Sequence, residues 1–209
     1  MPFDSQEYKK AKEVFVLSLK PLFSSSEIQL IWRESLIHFF GISASQQMTA
    51  TDTLFSESEI IQLQAIVNRL INGEPFQYIV GEVEFYGLNI QIDHRALIPR
   101  PETEELTDWI VKGHKGELKH LLDVCSGSGC ISLALSSVFQ KAQISGLDYS
   151  IEAVELSEEN ALALKLPVRY HHQDVMDALS LNTLLASKIK SNGLFDVVVS
   201  NPPYIPEKE

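Results

Sequence analysis

The segment Asn201-Pro202-Pro203-Tyr204 follows directly on the apolar run Phe195-Asp196-Val197-Val198-Val199-Ser200. Two consecutive prolines fix φ and remove two N–H donors, so Asn201, Pro202 and Pro203 present a rigid row of acceptors with no competing donor. An amide or aromatic amino nitrogen has a delocalised lone pair and is a poor nucleophile. Two hydrogen bonds from its N–H groups, to the Asn201 side chain and the Pro202 carbonyl, would orient it for attack with no strong base. Tyr204 would lie against the planar group and near a cationic reaction partner.

A second constellation lies upstream. Asp123-Val124-Cys125-Ser126-Gly127-Ser128-Gly129 leaves an apolar strand and opens a helix, and its small residues let backbone pass close to a ligand at the helix's positive end. Asp148 ends the next strand, where a carboxylate can accept both hydroxyls of a ribose. Together they fit an adenosyl ligand. A nicotinamide fingerprint wants a third glycine three positions beyond Gly129, and that position holds Ser132. Asp174, after the third strand, is placed either to accept from an adenine amino group or to sit in a solvated loop. His171 and His172 invite a metal reading, but no second cluster has ligand spacing, so no metal is expected.

The elements that must position these groups fall into two rhythms. From Ser5 to Asn72 the apolar residues recur at helical spacing: Tyr8, Ala11, Phe15 and Leu19, then Ile28, Ile31, Trp32, Leu36 and Phe39. Ser24 with Glu27 and Ser56 with Glu59 have capping-box spacing, Gly41 and Gly73 stand where helices should end, and Pro21 and Pro75 follow as stops. After Pro75, Val83 and Phe85, then Leu88, Ile90 and Ile92, alternate with polar residues around Gly87, which predicts a hairpin. Pro99-Arg100-Pro101-Glu102-Thr103-Glu104 forces an extended entry to a helix carrying Leu106, Trp109 and Ile110. From Lys119 strands and helices alternate: strands at 121–125, 143–148, 168–171 and 195–200, helices through Leu135, from Ala153 to Leu164 and from Leu179 to Ile189. Near-continuous apolar strands between amphipathic helices predict a parallel, doubly wound α/β sheet with its ligand at the carboxyl ends of the strands.

Composition narrows the classes further. The 209 residues, 44% of them apolar, can bury a core, and the net charge of −11 with a pI near 5.0 argues against direct nucleic-acid binding through phosphate neutralisation. Cys125 and Cys130 are too few and too close for a disulfide framework. The first residues lack the order of a secretory signal and no apolar run would span a bilayer, so a cytoplasmic protein with no membrane association is expected.

On these residues the chain resembles the release-factor glutamine methyltransferases of the PrmC/HemK type. The resemblance covers the whole chain: helical amino domain, hairpin with Glu74-Pro75 and Phe85-Tyr86, Ile98 to Glu104, the glycine loop, Asp148, and Asn201 to Tyr204. The last tetrapeptide alone is shared with adenine-amino DNA methyltransferases; the run around Arg100 together with the amino-terminal helices is more specific. The resemblance implies a Rossmann-like class I methyltransferase domain at 99–209, preceded by a helical substrate-recognition domain at 1–74 and a hairpin linker at 75–98. It implies methylation of the glutamine side-chain amide in the Gly-Gly-Gln motif of peptide-chain release factors, with S-adenosyl-L-methionine converted to S-adenosyl-L-homocysteine. By the same resemblance Cys125, Ser126, Gly127, Ser128 and Gly129 hold the methionine side, Asp148 the ribose, and Asp174 and Val175 the adenine. Pro101, Glu102 and Thr103 line the pocket, Asn201 also touches the cofactor, and Asn201, Pro202, Pro203 and Tyr204 clamp the glutamine. Cys125 stands where the family usually has glycine, and Val175 where an aromatic often stands. Four of the family's seven strands are encoded before Glu209, so the expectation is an incomplete domain with weak or no activity and an uncovered apolar strand at 195–200. The readings kept beside this one are an adenine-amino nucleic-acid methyltransferase and a non-catalytic binding fragment.

Overall fold

The computed structural model describes residues 6–48, 54–114, 118–179, 181, 182, 186 and 194–203, and divides into two compact units, Met1–Val80 and Gly81–Glu209. The helix predicted from Leu179 to Ile189 lies for the most part outside the described residues, as does Tyr204.

The first unit is built from α1 (Tyr8–Leu19), α2 (Ser25–Phe40), the short α3 (Ala44–Gln47), α4 (Glu57–Ile71) and α5 (Phe76–Val80). Ser24 and Ser56 cap α2 and α4 with the expected reciprocal boxes, and Ser43 with Gln46 forms a third at α3 that the sequence reading had not singled out. Gly41 closes α2 in the left-handed conformation. The helical stripes meet in one core of Tyr8, Phe15, Leu19, Ile28, Trp32, Leu36, Phe55, Leu63 and Leu70. Within it Trp32 packs edge-on against Phe15 and Tyr8 at ring separations of 5.1 and 5.5 Å, and its indole N–H donates to the Tyr8 hydroxyl at 3.1 Å. The Arg69 guanidinium ends α4 by gripping Glu74 at 2.6 Å and donating to the carbonyls of Tyr78 and Ile79 in α5.

The second unit opens with the hairpin β1 (Glu82–Phe85) and β2 (Leu88–Gln91), paired so that Val83 faces Ile90 and Phe85 faces Leu88. Its two turn residues, Tyr86 and Gly87, both have positive φ, as a two-residue turn matched to strand twist requires. The Tyr86 N–H donates to Glu104 of α6 (Pro101–His114), tying hairpin to helix. The chain then alternates β3 (His120–Val124), α7 (Cys130–Val138), β4 (Gln143–Asp148), α8 (Ile151–Leu164), β5 (Val168–His172) and β6 (Val197–Ser200). The four strands after the hairpin form one parallel sheet in the order β5-β4-β3-β6. Leu121, Leu133, Leu135, Ile144, Tyr170 and Val199 lie in its core, with Leu106 and Ile110 of α6 packed against it. Trp109, on the same helix, is 79% exposed.

β6 is only half buried, in keeping with the uncovered apolar strand expected at 195–200. Val199 is 5% exposed but Val198 is 61% exposed, because successive side chains point to opposite faces and the Val198 face has no covering element among the described residues. The carboxylate of Asp196 starts the strand by accepting the backbone N–H groups of Lys119 and His120, both at 2.8 Å, and these bonds hold its pKa below the usual value.

Candidate functional site

Successive strands run outward from β3 through β4 to β5, and the chain then returns to place β6 on the other side of β3. The carboxyl ends of β3 and β6 therefore flank the point where strand order reverses, and loops diverging there open a crevice. Register sets Val124 opposite Ser200, and the Ser200 hydroxyl donates to the Val124 carbonyl at 2.8 Å. The glycine loop leaves one side of this crevice and Asn201 begins the other.

The loop is held from beneath. Ser126 N–H donates to the Leu147 carbonyl at 2.9 Å, and the Asp148 carboxylate accepts Gly127 N–H on one oxygen at 2.8 Å and Ser150 N–H on the other at 3.0 Å. Each oxygen keeps a lone pair for a further donor. Asp123, at the floor, is fully buried: one carboxylate oxygen accepts Ser132 N–H at 3.2 Å and the other has no partner among the described residues. Complete burial pushes its pKa up to about 7, with the nearby Asp148 charge adding to the rise and the Ser132 bond opposing it. The buried Ser126 hydroxyl likewise has no partner. Two orphaned polar atoms in one loop are costly unless something polar meets them.

The glycines divide their work. Gly127, Gly129 and the non-glycine Cys125 all have positive φ, at 54°, 80° and 61°. A Cβ on Gly129 would come 2.4 Å from the Tyr170 hydroxyl, and one on Gly146 of β4 would come 2.4 Å from the Tyr170 ring. So Gly129 is small to admit a buried phenol below the loop, whereas the sequence reading had assigned that smallness to a ligand above it. Tyr170, on β5, hydrogen-bonds the Ser132 hydroxyl at 3.0 Å, and burial raises its pKa well above the ordinary phenol. Burial also raises the Cys125 thiol and carries that of Cys130 to about 12, so neither is a ready thiolate.

On the opposite side Asn201 is half buried, and its Nδ2 donates to the Thr103 hydroxyl at 3.0 Å. Thr103 is buried in the first turn of α6, while Pro101, Glu102, Pro202 and Pro203 are exposed. Asp174 and Val175 are half buried just beyond β5, and Asp174 accepts the Met176 N–H in a tight turn. His172 contacts the Tyr149 carbonyl at 2.8 Å, and no group of three or more metal-ligating side chains occurs among the described residues. None of their helices is long and apolar enough to cross a membrane.

Residues 107–209 match the family model of the methyltransferase small domain, and residues 26–81 match that of the PrmC N-terminal domain. The release factor glutamine methyltransferase of Koribacter versatilis is 31% identical over 201 residues, covering 95% of this chain and 68% of the relative. That of Streptococcus pneumoniae is 33% identical over 204 residues, covering 92% and 68%.

The chain belongs to the release factor glutamine methyltransferase family.

It spans about two thirds of the length of these curated relatives. Among solved structures it is similar to the Thermus thermophilus 16S rRNA N2 G1207 methyltransferase in complex with AdoMet and guanosine, at 20% identity over 61% of this chain and 33% of that one, with a TM-score of 0.46. Sequence reasoning had not marked Tyr170 as part of the loop's support, and it named Asp123 only as the residue that opens the loop segment. A buried acid closing β3 was the one signal that pointed to Asp123; Tyr170 meets the loop only through the β4–β5 pairing.

Proposed function

We propose that this chain carries the methyl-donor site and amide clamp of an S-adenosyl-L-methionine-dependent methyltransferase acting on the side-chain amide of the glutamine in the Gly-Gly-Gln motif of peptide-chain release factors. The observation that carries the reading is the Asn201–Thr103 bond at 3.0 Å. It commits the Asn201 amide nitrogen to Thr103, so the side-chain oxygen is the atom left to accept from a substrate N–H.

The loop suits an amino-acid end and a ribose: the buried, unpartnered oxygens of Asp123 and Ser126 answer polar groups, and the Asp148 carboxylate keeps acceptor capacity for two hydroxyls. Cys125, Gly127, Ser128 and Gly129 would complete the methionine side, Asp174 and Val175 the adenine side, with Pro101 and Glu102 at the rim. When bound, S-adenosyl-L-methionine supplies an electrophilic methyl on a cationic sulfur. The protein's part is to hold the glutamine amide, whose two N–H groups donate to the Asn201 oxygen and the Pro202 carbonyl. Pro203 would stiffen that segment, and Tyr204, which lies outside the described residues, would supply the aromatic face against the amide plane. Held there, the nitrogen would take the methyl carbon as the carbon–sulfur bond breaks with its electron pair going to sulfur, and the methylated nitrogen would then release its extra proton to water, leaving S-adenosyl-L-homocysteine. Positioning supplies the rate, and no general base is needed before attack. The helical unit would recognise the release factor, and the reaction would run in the cytoplasm.

Incubation with methyl-labelled cofactor and a release factor, its Gln→Ala variant, or DNA tests the reading. Label should appear only on the factor that retains the glutamine; label on DNA and none on the factor overturns it. Asn201→Ala should abolish transfer while calorimetric cofactor affinity changes less than about threefold, under about 0.7 kcal/mol. Retained transfer would remove Asn201 from the clamp.

A further inference from the structure

Asn160 of α8 is 1% exposed, and both its oxygen and its nitrogen are hydrogen-bonded. Its Oδ1 accepts the Gln91 N–H at 2.8 Å, and its Nδ2 donates to the Gln91 carbonyl and to the Ser128 carbonyl, both at 3.0 Å. Gln91 is the last residue of β2, so one buried side chain reads the end of the hairpin as a pairing strand would and fastens it to the glycine loop. The Ser128 carbonyl lies between Gly127 and Gly129, both in the left-handed region, where local sterics constrain the backbone least. The N–H of that peptide, on Gly129, donates within the loop to the Ser126 carbonyl at 2.8 Å, and Asn160 holds its carbonyl end from outside the loop. The turn after β2 is fastened to the same helix: Arg95 grips Asp93 and also Glu159, beside Asn160, at 2.7 and 2.9 Å. Ala96, just beyond, lies where a Cβ on Gly127 would come 3.8 Å from its own.

We propose that Asn160 is a positioning residue for the cofactor: through its bonds to Gln91 and Ser128 it makes the hairpin set the shape of the glycine loop, and with it the affinity for S-adenosyl-L-methionine. The inference rests on the methyl-donor reading of that loop. It changes the hairpin from a connector into part of the binding site. It also explains why a buried side chain gives both its donors and its oxygen to two backbone segments as far apart in the chain as Gln91 and Ser128.

Calorimetric titration of the chain with S-adenosyl-L-methionine tests it, comparing wild type, Asn160→Ala and Ser157→Ala. Ser157 is equally buried on α8, its hydroxyl bonds the Val154 carbonyl within the helix, and Ser157→Ala keeps the Cβ that faces Gly129, so this variant reports general damage to the helix. Asn160→Ala should weaken binding at least tenfold and Ser157→Ala less than twofold; a folded Asn160→Ala that binds within twofold of wild type overturns the proposal. Hydrogen exchange on the wild-type chain decides the matter if Asn160→Ala does not fold. The Gln91, Gly127 and Gly129 amides should open together and gain protection together on adding cofactor, and cofactor protection of the loop amides with none at Gln91 overturns it. A wild-type chain that binds no cofactor would count against the proposed function instead, and denaturant-dependent exchange of the same three amides would still show whether hairpin and loop open as one.

Discussion

The helical unit and the sheet unit handle buried polarity in opposite ways. In the helical unit three serines at helix ends cap their own helices, and among the described residues the buried side-chain atoms left without partners are two hydroxyls, on Ser18 and Ser35. In the sheet unit a whole carboxyl group is buried at Asp123, a second orphan lies three residues on at Ser126, and Cys125 between them holds a left-handed backbone. In the first the unpartnered atoms are hydroxyls on separate helices, while in the second a buried carboxyl, a buried hydroxyl and a left-handed non-glycine residue fall within four consecutive positions, 123–126. Such concentration of strain and unmet polarity is what a binding site looks like when its ligand is part of the balance.

The contrast can be broken most forcefully in the helical core. Phe15→Ala, at a fully buried ring against Trp32, should cost about 3–5 kcal/mol in chemical denaturation and leave the loop's properties to the other unit. A cost under about 1 kcal/mol would mean that the aromatic cluster does not carry that unit. Next is Gly146→Ala, whose new methyl would enter the Tyr170 ring and should cost about 1–3 kcal/mol. That cost should shrink in a double-mutant cycle with Tyr170→Leu; additivity would dissociate the two sites.

Asp123 sharpens the comparison through pH. Its folded pKa, about 7, lies above the ordinary carboxyl value of 3.8, so the folded state holds the extra proton between them. The stability associated with that proton is complete below about pH 4 and is lost as pH rises through about 7. Denaturation midpoints should therefore fall across that window, and Asp123→Asn should flatten the slope; an unchanged slope would locate the titration elsewhere. The smallest effect expected is at Cys125, where Cys125→Gly relieves a left-handed side chain and should raise stability by about 1 kcal/mol. A loss of that size would show that the thiol's packing outweighs its backbone strain.

What was legible in the sequence was local. Ser24 with Glu27, Ser56 with Glu59, the alternation through Val83 and Ile90, and the strand from Gln143 to Asp148 are each read from residues a few positions apart, and the structure forms each of them. The parallel sheet followed because apolar strands were spaced by helices. Contacts that join distant segments were not legible: Thr103 with Asn201 across 98 positions, Asn160 with Gln91 across 69, and Tyr170 beneath Gly129. No periodicity encodes these, since each depends on which strand neighbours which. Gly129 shows the limit well, because the same residue satisfies a ligand-side and a core-side explanation until the tyrosine is placed.

The β3–β6 pairing also has a consequence in time. β4 and β5 follow β3 closely in the chain, but Asp196 meets His120 across 76 residues. Closing so long a loop is entropically slow relative to pairing near neighbours, so the strand that leads into Asn201 should join the sheet last. The loop from Cys125 to Gly129 then matures before the amide end it faces, and a chain caught midway holds half a site. Pulse-labelled exchange during refolding should find the Val197–Ser200 amides protected later than those of Gln143–Asp148; simultaneous protection would rule out that order.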